Sequence, residues 1–591
     1  MSIRDTRSPV FLPTTPGEVQ AHGGPPLDVI IVTGDSYIDS PYIGAAVIGR
    51  VLQAAGYRVG LIAQPDVHSA DDIMRLGRPR LFWGVTGGSV DSMVANYTAL
   101  GKRRQSDDFT PGGQNDRRPD RAVIVYANLI RRWSGSDVPI VLGGLEASLR
   151  RISHYDAWSD RVRRSILFDA RAQALIYGMG ETTVLALAEA LDRQADFRDL
   201  RGLCYIARQP REGYAILPAH QTVAVDRQAF TAMFQQFYRQ NDPHTAIGLC
   251  QQQDTRWLVQ NPPAYPPATQ ALDAVYEMPY AYAQHPHYEA QGAVRALDTI
   301  GFALTTHRGC YGECNFCAIA VHQGRTVYGR SEASLLREAR RIAALPRFKG
   351  IIQDLGGPTA NMYGFECTRK LEKGACPQKR CLYPRVCPHL PVNHERLRRL
   401  MASLRRIPGI RKVFVASGLR PDLILADQAA GDHYLDDLIR HHVSGQLKIA
   451  PEHSEPHVLA CMGKPPAEIC TRFRERFGEL TRRAGRDQFL SYYFIAAHPG
   501  CRLDDMHRLR RYTRTQLQIA PQQVQIFTPT PSTYATLMYH TGQDPFGGGK
   551  PLFVEKNNRR KQRQKDVLLP SHRRAPAAPR KKYGKKQSGR P

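Results

Sequence analysis

Three cysteines lie close together in residues 306–319, which read THRGCYGECNFCAI. Cys310, Cys314 and Cys317 have the spacing C-x3-C-x2-C and come directly after a predicted strand. Three thiolates on one short loop can bind three irons of a cubane [4Fe–4S] cluster, because soft sulfur ligands suit iron–sulfur centres. Since no fourth cysteine lies nearby, the fourth iron would stay open to a small-molecule ligand. A zinc knuckle and three buried thiols are the alternatives, and neither explains the missing fourth ligand.

A second group of four cysteines follows, with spacings of x8, x4 and x5. Four thiols so close in sequence could close a zinc site or hold an auxiliary iron–sulfur cluster. Zinc usually favours tighter pairs, so the spacing leaves the metal open, and four unligated thiols are the alternative. We predict a second metal site here, formed by Cys367, Cys376, Cys381 and Cys387.

The distribution of the cysteines favours metal ligands over disulfides. Seven of the 12 cysteines fall between Cys310 and Cys387, whereas only Cys204 and Cys250 fall in the first 300 residues. A reducing cytoplasm keeps such thiols free. The N-terminal segment lacks the apolar core of a secretory signal, and no stretch approaches the roughly 18 apolar residues that cross a bilayer. We therefore predict a soluble, cytoplasmic protein without a membrane partner.

Short apolar runs alternate with helical periods from residue 27 onward. The runs predicted to be buried parallel strands are 28–33, 58–63, 81–86, 139–143 and 174–178. Such alternation is typical of an open, doubly wound α/β sheet. We predict a flexible leader at 1–26 and a Rossmann-like, cobalamin-binding-like N-terminal domain at 27–295. The weaker periodicity after about residue 194 predicts a proline-rich wrapping linker within that domain.

A second series of strands and helices begins near the three-cysteine loop. Its predicted strands are 302–306, 350–354, 412–417, 445–450, 489–495 and 524–529. Six strand-and-crossover units favour a partial (β/α)6 barrel, whose active site would lie at the carboxyl ends of the strands. We place this barrel at 296–545, with the second cysteine group in an insertion at 365–390.

The positive charge of the chain is concentrated at its C-terminus. The formal net charge is +27, and residues 556–591 alone contain fourteen Lys or Arg against one acidic residue, Asp566. We predict a basic low-complexity tail at 546–591. Basic tails bind phosphate backbones without reading sequence, so RNA is a possible partner, although such tails are commonly only solvated extensions.

The three-cysteine loop resembles the signature of the radical S-adenosylmethionine (SAM) superfamily, C-x3-C-x-aromatic-C, with Phe316 in the aromatic position. The resemblance implies that Cys310, Cys314 and Cys317 hold the cluster. It implies that the amino and carboxylate groups of SAM chelate the unique iron. One electron from the cluster then cleaves SAM to methionine and a 5′-deoxyadenosyl radical, which removes hydrogen from a substrate.

Further residues at predicted strand ends extend the resemblance to the SAM site. The turn LGGPTAN at 355–361 places Gly356 and Gly357 where the superfamily meets the SAM amino group, although Pro358 stands where many members have an acidic residue. Ser417, in Ser417-Gly418 followed by Arg420, could contact the SAM carboxylate or ribose. Lys448 and Glu452 end the fourth strand and could do the same, or form an ion pair with each other. No catalytic residue is predicted.

The chain as a whole is similar to the YgiQ-like (UPF0313) family of the radical SAM superfamily. The matching pieces lie between about residues 25 and 570, and they include GDSYIDSPYI at 34–43, GGLEASLRRISHY at 143–155, CLYPRVCP at 381–388, AHPGC at 497–501 and FTPTP at 527–531. The similarity implies an enzyme whose partners are SAM, an unidentified substrate and an electron donor such as flavodoxin or ferredoxin. It provides no substrate.

The sequence also bears on one further cofactor, cobalamin, and on two other functional classes. A doubly wound domain before such a barrel is similar to cobalamin-dependent members, which usually present an Asp-x-His-x-x-Gly loop. His68 lacks that spacing, so cobalamin is not expected, although a mode without a histidine ligand stays open. An RNA methylthiotransferase would carry three additional cluster-binding cysteines in its N-terminal domain, whereas this chain has only Cys204 and Cys250 there. An RNA-associated protein with a structural cluster is the non-enzymatic alternative.

Overall fold

Aliphatic runs form the strands of the first half of the chain, in a computed structural model that describes residues 11–135, 137–377 and 380–569. All five residues of the first strand are buried, because helices cover both faces of the sheet. The strands are β1 (Val29–Thr33), β2 (Ile38–Asp39), β3 (Val59–Ala63), β4 (Phe82–Thr86), β5 (Ile140–Gly143), β6 (His154–Asp156), β7 (Arg161–Arg163), β8 (Ala174–Ile176), β9 (Leu203–Ala207), β10 (Ala215–Leu217), β11 (Leu249–Gln253), β12 (Arg256–Gln260) and β13 (Ala283–Gln284).

Helices connect these strands and bury their apolar sides on the sheet. In the helix after β2, for example, Val47, Val51 and Leu52 are buried. The helices are α1 (Pro16–Ala21), α2 (Gly44–Ala54), α3 (Ser92–Asn96), α4 (Ala122–Ser134), α5 (Gly144–Leu149), α6 (Ile166–Ala170), α7 (Glu181–Asp192), α8 (His220–Val225), α9 (Arg227–Arg239), α10 (Thr269–Glu277), α11 (Pro286–Glu289) and α12 (Leu297–Ile300), with a 3-10 turn at Pro111–Gly113.

Nine strands of this half form one sheet in the order β10-β11-β12-β9-β8-β5-β4-β1-β3. The five strands from β8 to β3 are mutually parallel, and Val29 of β1 lies between Val59 of β3 and Phe82 of β4. The strand order therefore reverses between β1 and β4. In open parallel sheets, ligands bind outside the carboxyl ends of the strands at such a switch point.

The segment predicted to be a wrapping linker extends this sheet instead. β9 pairs antiparallel with β8, and β12 and β11 follow it. Polar residues obscure the pattern in β11, which reads LCQQQ although Gln251 and Gln253 are buried. Gln251 accepts a hydrogen bond from the Ser153 amide at 3.0 Å, and Gln253 accepts one from the Ser165 amide at 2.9 Å. Side-chain amides thus satisfy backbone groups inside the domain.

The predicted leader is also ordered where the structure describes it. Leu12 is fully buried, and its amide donates to the Tyr37 hydroxyl at 3.0 Å. Thr15 caps α1 in a capping box with Glu18. Because this short segment has no periodic sequence pattern, its sequence did not predict that it packs against the rest of the protein. Residues 1–10 of the predicted leader lie outside the described residues.

The second half of the chain forms another α/β unit. Its strands are β14 (Ala303–Thr305), β15 (His307–Arg308), β16 (Tyr328–Gly329), β17 (Ile351–Ile352), β18 (Asp354–Gly356), β19 (Lys412–Val413), β20 (Gln446–Glu452), β21 (Phe489–Ala496), β22 (Gln523–Ile526), β23 (Gln543–Asp544) and β24 (Lys550–Pro551). Parallel pairs join β14 to β18, β17 to β19, β20 to β21 and β21 to β22. A parallel bridge between Leu419 and Ile449 connects the segment after β19 to β20. Neighbours in this series follow chain order, as expected for parallel strands with helical crossovers.

The crossovers of this unit are amphipathic helices. In the crossover after β16, Leu335, Ala339 and Ile342 are buried while its basic residues face outward. The helices are α13 (Ile319–His322), α14 (Glu332–Ala343), α15 (Thr368–Lys373), α16 (Glu395–Arg405), α17 (Pro421–Ala426), α18 (Gly431–Asp437), α19 (Pro456–Met462), α20 (Glu468–Arg483), α21 (Leu503–Thr515), α22 (Tyr534–Thr541) and α23 (Asn558–Leu568), with a π-helical turn at Leu438–His442.

The last helix corrects the prediction of a basic tail from residue 546. Helix α23 packs against α21 and β22 and buries Lys561, Gln564 and Val567. Gln564 accepts a hydrogen bond from the Ala497 amide at 2.9 Å, just beyond β21. Because this helix contains many charged residues, its buried side was not predicted from the sequence. The remainder of the predicted tail, residues 570–591, lies outside the described residues.

Candidate functional site

The three-cysteine loop connects β15 to α13 and is tied to several parts of the chain. Gly309 opens it at φ +77°, where a side chain is impossible because a Cβ would lie 1.8 Å from the Thr326 carbonyl oxygen. Asn315 donates its amide to the Met462 carbonyl at 2.9 Å and accepts from the Ala535 amide at 2.8 Å. The loop is therefore positioned by the strand and helix ends around it.

The thiols of Cys310, Cys314 and Cys317 lie close enough to influence one another. Burial, together with the smaller effect of the neighbouring Cys314 and Cys310 sulfurs, raises the pKa of Cys317 to about 12. Burial and then Cys314 also raise the pKa of Cys310, whose sulfur is 3.5 Å from the Thr359 hydroxyl. A bound metal would reverse this trend, because coordination deprotonates a thiol. Three half-buried thiols that interact on one loop fit the ligand set of one multinuclear centre.

A buried arginine lies against these thiols. Arg420 is 6% exposed, pairs with Asp422 at 2.6 Å, and places one guanidinium nitrogen 3.8 Å from the Cys314 sulfur. The nearby Asp422 and the sulfurs favour its charged form and raise its pKa, against the effect of burial. Its positive charge can offset the negative charge of thiolates. Sequence analysis had considered Arg420 only as a contact for SAM.

The predicted glycine turn is packed tightly against the start of the loop. A Cβ at Gly357 would lie 2.7 Å from both ring atoms Cε1 and Nε2 of His307 and 2.7 Å from its carbonyl oxygen. The Gly356 carbonyl accepts from the Thr306 amide at 2.7 Å. Burial lowers the pKa of His307 to about 3, so this imidazole is neutral. Glycine at 357 is therefore a steric requirement of the fold.

Ser417 is joined to the strand of the glycine turn. Its amide donates to the Asp354 carboxylate at 3.1 Å, the Ala416 amide donates to the same oxygen at 2.8 Å, and the Ser417 hydroxyl donates to the second oxygen. This contact holds the ends of β18 and β19 together. The serine hydroxyl is thus engaged within the protein.

Glu452 and Lys448 do not form the ion pair considered from the sequence. Lys448 is exposed, whereas Glu452 is buried and its nearest cation is Lys464, at 3.9 Å. Burial raises the pKa of Glu452 to about 7, against the attraction of Lys464 and Arg420. Its Oε2 atom is buried without a hydrogen-bond partner among the described residues. Such an orphaned oxygen marks a place where a ligand can donate hydrogen bonds.

Phe316, in the aromatic position of the motif, packs inside the unit. Its ring meets that of His498 edge-on, with centroids 6.1 Å apart. His498 belongs to the AHPGC segment and is fully buried, with its Nε2 unpartnered among the described residues. Burial lowers its pKa to about 4. Phe316 therefore links the cysteine loop to the end of β21.

The second cysteine group lies beside the first but is not assembled for a single metal ion. Burial raises the pKa of Cys381, and the nearby Lys370 ammonium opposes this effect. Four thiolates around one zinc would lie about 3.8 Å apart, given Zn–S bonds of about 2.3 Å. Among the described residues, no three of these thiols lie within 4.8 Å of one another. The second metal site stays a prediction, formed by Cys367, Cys376, Cys381 and Cys387.

One further group has the composition of a cation site. Glu455, His457 and Asp505 have ligand atoms within 4.8 Å of one another. Arg508 donates to Glu455 at 2.5 Å and also to Asp505. The Arg508 guanidinium pairs with both carboxylates, so these groups already form an ion-pair network.

Two predictions about partners concern the outside of the molecule. Arg559, Arg560 and Arg563 of α23 are exposed and could meet a polyanion, and RNA binding stays a prediction. No helix in the described part of the chain is long and apolar enough to span a membrane.

The comparisons with known proteins give a consistent family. A family model described as Radical SAM N-terminal matches residues 11–303. A UPF0313 protein of Fusobacterium nucleatum is 53% identical over 559 residues, covering 94% of this chain and 98% of its own. A UPF0313 protein of Thermotoga petrophila is 46% identical over 563 residues, covering 95% and 98%.

The similarity to solved structures is lower. The methyltransferase TsrM of Kitasatospora setae, described as a radical SAM enzyme with cobalamin and a [4Fe–4S] cluster bound, is 14% identical with a TM-score of 0.49, covering 85% of this chain and 76% of its own. OxsB, described as a cobalamin-dependent radical enzyme, is 12% identical with a TM-score of 0.49, covering 87% and 55%.

These descriptions contradict the expectation that cobalamin has no place beside such a fold. The expectation rested on the missing Asp-x-His-x-x-Gly loop around His68, and the absence of that loop does not decide the cofactor. It is withdrawn, and at this similarity no cofactor is transferred to the chain. Near-full-length identity of about half to the named relatives does establish the family: the chain belongs to the UPF0313 family and, through its matched N-terminal region, to the radical SAM superfamily.

Proposed function

We propose that this protein is a radical SAM enzyme whose [4Fe–4S] cluster is held by Cys310, Cys314 and Cys317. When bound, the cluster and SAM together supply a 5′-deoxyadenosyl radical for hydrogen abstraction from a substrate. The observation that carries the proposal is the placement of three mutually interacting thiols on one short loop, beside the Arg420 guanidinium.

Residues around the thiols fit the chemistry of SAM. The orphaned Oε2 of Glu452 can accept hydrogen bonds from a ribose or an amino group. Gly357 lines a cavity, so a ligand there can reach the backbone of the glycine turn. Lys448, exposed and outside the Glu452 pair, is available to a carboxylate. These roles for Gly356, Gly357, Ser417, Lys448 and Glu452 belong to the proposal.

The site would also have to exclude water and accept an electron. Phe316 and His498 pack edge-on behind the cysteine loop, and the low pKa of His498 keeps that imidazole uncharged. A dry, low-dielectric surround strengthens the interaction of Arg420 with thiolates. Reduction needs an external one-electron donor such as flavodoxin or ferredoxin, for which dithionite substitutes in vitro.

The test is anoxic reconstitution followed by incubation with SAM and dithionite. We expect methionine and 5′-deoxyadenosine, measured by chromatography, and slow turnover while the substrate is missing. Single Cys→Ala changes at 310, 314 or 317 should abolish the products, because loss of one thiolate disrupts the cluster that binds SAM. Cys250→Ala is the matched control, since that thiol is buried in the N-terminal sheet.

The outcomes separate the rival interpretations. S-adenosylhomocysteine without 5′-deoxyadenosine would mean that SAM serves only as a methyl donor. If SAM neither binds nor changes the electron paramagnetic resonance signal of the reduced cluster, the enzyme proposal fails and a structural cluster takes its place.

A further inference from the structure

A cavity of about 440 Å³ lies where the two α/β units face each other. Its floor is made by the carboxyl ends of parallel strands of the N-terminal sheet, at Thr33 after β1, Thr86 after β4 and Ile176 after β8. Its roof is made by Thr305 and Ser417 from the C-terminal unit. The cavity spans the switch point between β1 and β4, where sheets of this kind bind ligands. Its volume is typical of sites for small molecules.

The cavity adjoins the proposed SAM site. Gly357 and Ser417, both proposed to contact SAM, also line it. Tyr42, from the sequence GDSYIDSPYI, reaches from the N-terminal unit to hydrogen bond with Thr305 of β14. A molecule in this space would therefore lie between the N-terminal sheet and the place where the radical is formed.

The charged side chains that line the cavity form ion pairs or hydrogen bonds with other groups of the protein. Asp35 pairs with Arg118 at 2.7 Å, and both side chains are buried. Arg308 pairs with Glu181 at 2.5 Å. The Asp354 carboxylate, in the roof, accepts hydrogen bonds from Ala416 and Ser417.

The two histidines that line the cavity are neutral because burial disfavours their charged forms. Burial lowers the pKa of His307 to about 3 and that of His322 to about 4. No cation in the described lining is free to meet a phosphate or a carboxylate. Burying an unpaired ionic group there would be costly.

Two polar atoms in the lining do lack partners among the described residues. They are Oγ of Ser89, after β4, and Nε2 of His307, which is fully buried. The rest of the surface is mainly aliphatic, as at Ile31, Ile48 and Val184. Buried polar atoms normally have partners, so these two on opposite walls mark positions for the polar groups of a ligand.

We propose that this cavity holds the substrate, and that the substrate is a small, neutral, largely apolar molecule with polar groups that meet Ser89 and His307. The proposal rests on the proposed function and names the substrate class of that site. It excludes RNA and phosphorylated metabolites as occupants, because their charges would find no partner in the cavity. A neighbouring cavity of about 500 Å³ shares Gly178, Glu181 and Gln323 with it and offers a way in.

The test uses two fluorescent probes that differ in charge, N-phenyl-1-naphthylamine, which is neutral, and 1-anilinonaphthalene-8-sulfonate, which is anionic. We expect the reconstituted protein to bind the neutral probe at least about tenfold more tightly, since a sulfonate would be buried unpaired. Ala45→Phe, which fills the cavity from α2, should weaken binding of the neutral probe at least about tenfold. Ala195→Phe makes the same change at an exposed position and should leave it unaltered.

A second filling variant, Leu145→Trp from α5, keeps the test decisive if Ala45→Phe does not fold. Equal affinity for the two probes, or unchanged neutral-probe affinity in a folded filling variant, would overturn the inference. Because the titration contains no SAM, its result is independent of the proposed function. Wild-type protein that binds the neutral probe as expected but forms no 5′-deoxyadenosine would refute the proposed function alone.

Discussion

Replacing Gly357 by Ala should impair SAM binding through a steric collision that the fold cannot relieve cheaply. The added Cβ would lie 2.7 Å from two ring atoms of His307, and these contacts are shorter than the 3.4 Å at which ordinary van der Waals contact begins. Rotation of the ring would not suffice, because the His307 carbonyl oxygen is also 2.7 Å away. Overpacking of this kind costs about 1–3 kcal/mol.

If that cost falls on the liganded turn, the affinity for SAM should fall by about 5- to 150-fold. Equilibrium dialysis of radiolabelled SAM against the reconstituted protein would measure it, with iron content and the thermal unfolding midpoint recorded in parallel. Gly478→Ala, on helix α20, is the matched control, because its Cβ would meet only the Arg482 guanidinium at 3.5 Å. The reasoning is refuted if Gly357→Ala equals this control in both SAM affinity and unfolding midpoint.

Three further predictions follow from other contacts. The triple variant of Cys310, Cys314 and Cys317 to Ala should lose about four irons, and Cys204→Ala should lose none; unchanged iron and sulfide in the triple variant would exclude the cluster site. Arg330→Met should lower the free energy of unfolding, measured in urea, by about 3–5 kcal/mol, because it leaves the buried Glu338 carboxylate without its cation. Arg337→Met, at an exposed pair with Glu277, should lower the free energy of unfolding much less than Arg330→Met does, and equal losses would contradict the difference in burial. Truncation after Lys556 removes α23 and should lower the urea midpoint, whereas truncation after Leu569 should not; equal midpoints would show that α23 adds no stability.

The strands were largely predictable because parallel strands buried on both faces appear as continuous apolar runs. The runs that contain β1, β3 and β4 are of this kind, and the structure has strands there. β11 was missed because its inward-facing Gln251 and Gln253 are polar and are satisfied by backbone amides far away in the sequence. No local pattern carries that information. α23 was missed for a similar reason, since its buried side includes the polar residues Lys561 and Gln564 and the rest of the helix is highly charged.

The candidate site, too, was only partly predictable from the sequence. The cysteine spacing is local, so the sequence alone could predict Cys310, Cys314 and Cys317 as one group, and their thiols do interact in the structure. The side chains that contact those residues come from segments distant in the sequence, so they depend on the tertiary fold. Arg420 reaches the thiols from the turn after β19, and Lys464 approaches Glu452 from beyond α19. A period or a motif cannot predict which of several cations will lie nearest to a buried carboxylate.

The position of α23 has a consequence for the order of events during protein synthesis. Gln564 bonds to the backbone at Ala497 and Cys501, so the carboxyl end of β21 gains these hydrogen bonds only after the last helix has been translated. The N-terminal sheet contains none of its strands from beyond residue 260 and can form while the ribosome is still working. The C-terminal unit can complete its fold only after α23 has been translated. Assembly of the proposed cluster at the cysteine loop would therefore act on a chain whose N-terminal sheet is already formed.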